Sequence, residues 1–202
     1  MNVGVLASGQ GSNLQAILDR VHGREGVAVV AVGSNKPDAR ALERARAAGV
    51  PVRAFPLAEH GDRRARDLAM ADWLAGTGAE LVVLAGYMQL VDPGFLARFP
   101  QRVINVHPAL LPAFAGIGAV EQALAYGVKV FGVTVHFVDE GIDSGPIIAQ
   151  RALDLPDATD ARQVRSALRP LEHDLLCDVV RLLARGAVSF DPGHPRRVVV
   201  QP

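Results

Sequence analysis

The first half of the chain alternates short apolar runs with stretches in which apolar residues recur at helical spacing. The run at 81–85 is apolar at every position, as expected of a central parallel strand that is covered on both faces. Strands and helices that alternate at this length predict a Rossmann-like α/β fold, a mostly parallel sheet with helices on both faces. The predicted strands are 2–7, 27–34, 51–55, 81–85 and 103–107. A first predicted helix begins after Asn13, and three more span 39–48, 63–74 and 93–99.

After Pro112 the pattern changes to longer strands. Two of them follow one another with only the turn-rich segment 139–145 between them, which predicts an antiparallel C-terminal extension of the same sheet. We therefore expect a single domain over residues 1–186 and a short tail over 187–202, in which Asp191-Pro192-Gly193 favours a weak hairpin. The predicted elements here are a helix at 120–126, strands at 129–138 and 146–155, and a long amphipathic helix at 160–184.

Composition shows that the chain can bury a substantial core and carries no net charge. Hydrophobic residues make up 50% of its 202 residues, and Lys plus Arg equal Asp plus Glu at 21 each. This balance gives no reason to expect a nucleic-acid or membrane-surface partner. The single cysteine, Cys177, lies in an apolar helical run, which predicts a buried inert thiol and excludes an internal disulfide. Without a signal-peptide pattern or an apolar run of spanning length, we expect a cytoplasmic protein.

The first candidate for chemistry is the turn Ser8-Gly9-Gln10-Gly11-Ser12-Asn13, between the first strand and the first helix. Backbone N–H groups and the helix dipole at such a turn favour an anion, most often a phosphate. The third glycine of a dinucleotide-binding turn and the lysine of a P-loop are both missing, so a ribose phosphate or mononucleotide fits better. The alternative is a tight turn in which Ser12 or Asn13 merely caps the helix.

The second candidate lies at the end of the fifth predicted strand. Asn105 and His107 project from the same face of that strand, and Pro108 ends it. Burying an amide and an imidazole without partners is costly, although an isolated pair of this kind could simply hydrogen-bond the turn. Asp143 lies in a glycine-bracketed loop, where a carboxylate is either a solvated turn residue or a partner that holds the imidazolium of His107. His136 could join this cluster or make a hydrogen bond in the core.

An amide, an imidazole and a carboxylate without an activated serine or cysteine suit acyl transfer between two bound substrates. The amide and the imidazolium would stabilise an oxyanion, and the carboxylate would relay protons. No spacing of histidine or cysteine residues matches a metal site, so we expect no metal cofactor.

Five segments share one order and spacing with a known family: SGQGSNLQ at 8–15, LAGYM at 84–88, INVHPALLP at 104–112, GVTVHFV at 132–138 and DSGPII at 143–148. Taken together, these segments resemble the 10-formyltetrahydrofolate-dependent formyltransferases. The similarity covers nearly the whole chain up to residue 187, and its order and spacing are more specific than any single piece. Within the family, the chain is most similar to members that act on glycinamide ribonucleotide in purine biosynthesis.

The resemblance implies a reaction, in which the amine of glycinamide ribonucleotide attacks the formyl carbon of the co-substrate 10-formyltetrahydrofolate. It implies two small-molecule partners and leaves a homodimer open. It assigns catalysis to Asn105, His107 and Asp143, and contact with the ribonucleotide to Gly11, Ser12, Asn13, Arg169 and Glu172. It assigns the folate pocket to Arg63, Met88, Gln89, Leu90, Val91, Asn105, Asp139, Glu140, Gly141, Ile142 and Asp143.

The chain departs from the family pattern at three places. Ala109 stands where the family commonly has serine, Gln89 stands at a position that is often basic, and the segment 115–120 has no polar side chain where basic or histidine residues are common. These departures concern the binding of substrates and leave the catalytic trio intact.

Three alternatives remain open from the sequence. A formyltetrahydrofolate deformylase would carry an N-terminal regulatory domain and a methionyl-tRNA formyltransferase an additional C-terminal domain, and we expect neither. A non-catalytic nucleotide-binding module of the same fold would require a broken trio, and only the apolar segment 115–120 favours it.

Overall fold

The computed structural model describes residues 1–201. Strands and helices alternate through β5, as the hydrophobic pattern predicts. The elements are β1 (Asn2–Leu6), α1 (Ser12–Arg20), β2 (Ala28–Ser34), α2 (Arg40–Ala47), β3 (Val52–Ala54), a 3₁₀ turn (Leu57–Glu59), α3 (Arg63–Gly76), β4 (Leu81–Leu84), α4 (Pro93–Arg98), β5 (Val103–His107), α5 (Ala119–Tyr126), β6 (Val130–Phe137), β7 (Ile147–Asp154), α6 (Ala161–Ala184), β8 (Val188–Asp191) and β9 (His194–Val200).

The strands up to β5 pair in parallel, β1 with β2 and β4, β2 with β3, and β4 with β5. All four residues of β4 are buried, as their uninterrupted apolar sequence requires. Two helices in this half begin at side-chain caps: the carboxylate of Asp62 accepts from the Ala65 amide at 2.7 Å, and that of Asp92 accepts from the Gly94 amide at 2.8 Å. Sequence signals therefore fix where α3 and α4 start.

The later strands pair antiparallel. β6 and β7 run together from Val130, opposite Asp154, to His136, opposite Ile147, and the register shifts between Val135 and His136. Such a bulge redirects the side chains that follow it. The tail forms an antiparallel hairpin of β8 and β9, as the turn residues around Asp191 predict, and its register shifts between Phe190 and Asp191.

The seven strands β1–β7 form one sheet in the order β3-β2-β1-β4-β5-β6-β7. This confirms the predicted fold class, a mostly parallel sheet with an antiparallel C-terminal extension. The chain divides into two compact units, Met1–Asn105 and the residues from Val106 on, so the single domain over 1–186 stays a prediction. Within the described residues, no helix is long and apolar enough to cross a membrane.

Candidate active site

The last strand of the parallel set carries the first two polar side chains of the site. Asn105 and His107 are two residues apart on β5 and therefore share a face of it, with Val106 between them on the other face. His107 is 5% exposed, and Asn105 is half-buried. Pro108 follows at once and ends the strand, which leaves the His107 ring at its carboxyl end.

The imidazole of His107 lies between two oxygen acceptors. Its Nε2 atom is 2.9 Å from the carbonyl oxygen of Phe114, and its Nδ1 atom is 3.2 Å from Oδ2 of Asp143. A carbonyl oxygen can only accept, so Nε2 must donate to it. Nδ1 faces a carboxylate and forms a hydrogen bond only if it also carries a proton. The surroundings of His107 therefore suit an imidazolium cation paired with Asp143.

The carboxylate of Asp143 is shared among several donors. Oδ2 accepts from the amide of Gly116 at 2.8 Å as well as from His107, and Oδ1 is 3.6 Å from Nε2 of His136. Burial alone would raise the pKa of Asp143, but the hydrogen bonds from His136 and Gly116 and the charge of His107 outweigh it and lower that pKa to about 2. The group is therefore a carboxylate throughout the neutral range, and a partner for His107 rather than a solvated turn residue.

His136 fulfils both alternatives that the sequence left open. It is 2% exposed, and its Nδ1 atom donates to the Phe137 carbonyl oxygen at 2.8 Å while Nε2 points to Asp143. The bulge that immediately precedes it in β6 sets this orientation. Two histidines therefore flank one carboxylate, and the cluster of His107, His136 and Asp143 lies within the second unit.

The loop 139–145 holds Asp143 in a conformation that non-glycine residues seldom adopt. Its φ angle is +47°, in the left-handed region. Within the loop, Oδ1 of Asp139 accepts from the hydroxyl of Ser144 at 2.6 Å and from the amide of Gly141 at 3.1 Å. Gly145 has no room for a side chain, because a Cβ atom there would overlap the Phe137 carbonyl. Of the residues that the resemblance assigns to the folate pocket in this loop, Glu140, Gly141 and Ile142 are exposed.

The apolar segment 115–120 contributes through its backbone. Gly116, one of its two glycines, has a φ angle of +88° and directs its amide to Asp143, while the side chain of Ile117 is 83% exposed. Phe114, just before it, supplies the carbonyl that accepts from His107. Sequence reasoning missed Phe114 and Gly116 because main-chain contacts leave no residue-type signal, apart from a glycine where φ is positive.

The turn at 8–13 is built against α2 in the first unit. Gly11 is the N-cap of α1 with φ of +69°, and a Cβ atom on it would lie 2.8 Å from Cα of Ala41. The carbonyl oxygens of Gly9 and Gln10 accept from the Ala41 amide at 3.0 Å and from Nε of Arg44 at 2.8 Å. No side chain caps the helix, so the alternative of a Ser12 or Asn13 cap is wrong. The turn presents a helix N-terminus, the geometry that favours an anion.

The segment 88–91 is anchored at both ends, also in the first unit. The Met88 amide donates to Oγ of Ser8 at 2.9 Å, and that hydroxyl donates in turn to the side chain of Asn35 at 2.6 Å. At the other end, the Asp92 amide donates to Oδ2 of Asp67 at 2.9 Å. Between the anchors Met88, Gln89 and Leu90 are exposed and Val91 is buried, so the segment offers a fixed main chain with three accessible side chains.

The remaining residues implied by the resemblance lie apart along the chain. Arg63 is the exposed first residue of α3, in the first unit. Arg169 and Glu172 lie on α6 in the second unit, three residues apart and hence adjacent on the helix surface, the first exposed and the second half-buried. Among residues 1–201, no group of three or more His, Cys, Asp or Glu side chains is arranged to hold a metal ion.

The fold and this site together define the class of protein. Residues 1–180 match the formyl transferase family, and the chain belongs to that family. This confirms the resemblance found in the motifs around Asn105, His107 and Asp143.

Within this family, the chain is similar to several named proteins. The phosphoribosylglycinamide formyltransferase of Mycobacterium tuberculosis is 46% identical over 185 residues, 92% of this chain and 86% of the relative. The crystal structure of glycinamide ribonucleotide transformylase 1 from Symbiobacterium toebii superposes with a TM-score of 0.95 at 44% identity, covering 100% of this chain and 94% of that one. The trifunctional purine biosynthetic protein adenosine-3 of Bos taurus is 37% identical over 93% of this chain and 19% of its own length.

Proposed function

We propose that the protein transfers the formyl group of 10-formyltetrahydrofolate to the amine of glycinamide ribonucleotide, a step of de novo purine biosynthesis. Membership of the formyl transferase family and relatives named for this substrate support the assignment. The single observation that carries it is the ion pair of His107 with Asp143, at 3.2 Å, at the end of the strand that also carries Asn105.

The chemistry follows from the three groups. The amine nitrogen attacks the formyl carbon, and the carbonyl π electrons move to oxygen to give a tetrahedral intermediate. The amide of Asn105 and the imidazolium of His107 stabilise that oxyanion. The intermediate then collapses, the bond to N10 of the folate breaks, and the proton lost by the attacking nitrogen reaches N10 with the carboxylate of Asp143 assisting its transfer. No metal is required for these steps.

His107 must change one hydrogen bond to play this part. Both ring nitrogens face acceptors in the structure, Nδ1 the Asp143 carboxylate and Nε2 the Phe114 carbonyl. We propose that the formyl oxygen replaces the neutral carbonyl of Phe114 as the acceptor from Nε2, because the developing oxyanion is the stronger acceptor. The bond to Asp143 is kept, since it holds the proton on Nδ1 and fixes the ring.

The two substrates would contact different parts of the chain. The ribonucleotide phosphate would bind at the Gly11-Ser12-Asn13 turn, with Arg169 and Glu172 contacting its ribose. The pterin, whose edge alternates donors and acceptors, would bind to main-chain groups of 88–91 and 139–143, with Arg63 contacting the folate. The anchoring of the first segment by Ser8 and Asp67 supports this, because a rigid backbone provides fixed hydrogen-bonding groups.

The test is a spectrophotometric assay with 10-formyltetrahydrofolate and one of three acceptors: glycinamide ribonucleotide, water alone, or charged initiator tRNA. We expect folate turnover only with the ribonucleotide. Turnover in water alone would instead show a deformylase, and dependence on tRNA would show an initiator-tRNA formyltransferase. Binding of the ribonucleotide by calorimetry, without turnover in any arm, would show a non-catalytic module.

A further inference from the structure

The C-terminal hairpin of β8 and β9 touches the loop that carries Asp143. Nη2 of Arg196 donates to the carbonyl oxygen of Ser144 at 2.6 Å, at the residue next to Asp143. Phe190 packs on Phe137, with ring centroids 4.9 Å apart and planes at 34°. Arg196 therefore contacts the residue that follows Asp143, and Phe190 contacts the residue that follows His136 at the end of β6.

The contact of Arg196 adds to a loop whose other hydrogen bonds are made by the Asp139 and Asp143 carboxylates. Inside the loop, Asp139 binds the Ser144 hydroxyl, but its hydrogen bonds leave the Ser144 carbonyl for another donor. Asp143 itself has a left-handed φ angle of +47°, which costs a non-glycine residue free energy and persists only where the surroundings enforce it. A guanidinium on the next carbonyl opposes rotation of that peptide.

The hairpin in turn is well fixed. Oδ1 of Asp191 accepts from the Gly193 amide at 2.8 Å in its turn, and β9 packs against β7. The adjacent arginine, Arg197, does not reach the loop; it lies 3.7 Å from Oδ2 of Asp191, and its side chain is 71% exposed. Two neighbouring arginines on one strand therefore make different contacts, one to the catalytic loop and one within the hairpin.

We propose that Arg196 is a positioning residue, which holds the Asp143 loop through the Ser144 carbonyl so that the carboxylate meets the imidazole of His107. The inference rests on the proposed function for its consequence in catalysis, but not for the geometry it predicts. Because Arg196 is exposed, one charge-assisted hydrogen bond is all that its loss removes. We therefore expect the rate of formyl transfer to fall about 3- to 10-fold in Arg196→Met, with little change in KM for the ribonucleotide.

The first measurement needs no substrate. In nuclear magnetic resonance spectra of the full chain, the Gly116 amide and the ring nitrogens of His107 and His136 all report on the Asp143 carboxylate that they face. We expect Arg196→Met to shift these signals, and Arg196→Lys, which keeps a cationic donor, to restore them in part. The matched control is Arg197→Met, which also removes one exposed arginine of β9 and should leave all three signals in place.

The second measurement is kcat and KM of the same variants in the assay with glycinamide ribonucleotide. A lower kcat in Arg196→Met, partial rescue by lysine and a normal Arg197→Met would support the inference. Unchanged signals from Gly116, His107 and His136 in Arg196→Met would overturn it, whatever the rate. If those signals shift but the wild-type chain transfers no formyl group, the positioning role stands and the proposed function fails. Thermal melting of each variant shows whether a shift reflects the loop or a loss of folding.

Discussion

Two carboxylates, Asp67 and Asp143, are both ion-paired, yet their partners differ in kind. Asp67 has no solvent exposure, and its Oδ1 atom accepts from Nε and Nη2 of Arg66 at 2.9 and 2.7 Å. Its other oxygen holds the amide of Asp92. A guanidinium keeps its charge at every pH that a folded protein survives, so this pair is fixed. The pair lies on α3, and through the Asp92 amide it stabilises the end of the segment 88–91.

Asp143 has partners that can gain and lose protons. Its side chain is 16% exposed, and it lies between the imidazoles of His107 and His136. An imidazole can donate or accept a proton, whereas a guanidinium does not give its proton up, so we propose that this pair takes part in proton transfer. Burial and ion pairing alone therefore do not distinguish the carboxylate that we propose to be catalytic from one with a structural role. What distinguishes Asp143 is a titratable partner at a strand end.

The largest expected effect is on the rate of the proposed reaction in Asp143→Asn. We expect kcat to fall by about 10²–10⁴, because the variant cannot hold the imidazolium or assist proton transfer. The measurement is kcat with glycinamide ribonucleotide and 10-formyltetrahydrofolate, beside urea unfolding of the same preparation. Asp160→Asn is the matched control, since asparagine keeps the N-cap of α6 that Asp160 provides, and it should retain full activity. A normal rate in Asp143→Asn would show that Asp143, like Asp67, has no part in catalysis.

The next effect should fall on stability. Arg66→Met leaves the Asp67 carboxylate buried without its countercharge, and breaking a buried pair in this way costs about 3–5 kcal/mol of the free energy of unfolding. We expect kcat of the folded fraction to remain close to that of the wild type, with the measurement made by urea titration and by assay below the melting transition. The double variant Arg66→Met/Asp67→Asn removes the uncompensated charge while keeping an acceptor for the Asp92 amide, and should recover much of the loss. A double variant as unstable as Arg66→Met would show that the unpaired charge of Asp67 is not the cause of the lost stability.

The sequence predicts the strands and helices better than it predicts the contacts of the candidate site. The alternating pattern predicts the strands and helices, including the hairpin around Asp191, because apolar periodicity and turn residues act locally. The sequence left Asp143 as either a solvated turn residue or a partner of His107, and the 3.2 Å contact between the two side chains supports the second alternative, whereas the catalytic roles that the resemblance implies for both residues stay predictions. The contacts made by Phe114, Gly116 and Arg196 could not be predicted, because each joins a side chain to a main-chain atom of another segment, and a main-chain partner leaves no residue-type signal.

The smallest expected effect is on the pH dependence of stability, which tests how much the ionised Asp143 carboxylate contributes to the free energy of unfolding. Its pKa is lowered from 3.8 to about 2 in the folded chain, by the histidines and the Gly116 amide acting against burial. A folded-state pKa below the unfolded one means that the stabilisation is complete above about pH 4 and is lost as pH falls toward 2. The stability difference between the wild type and Asp143→Asn should therefore shrink across this window, as measured by urea unfolding at several acidic pH values. The carboxylate also stays charged wherever the enzyme is assayed near neutrality, so an acid limb of kcat near pH 6 would not come from Asp143. A difference that grows as pH falls would contradict the lowered pKa of Asp143.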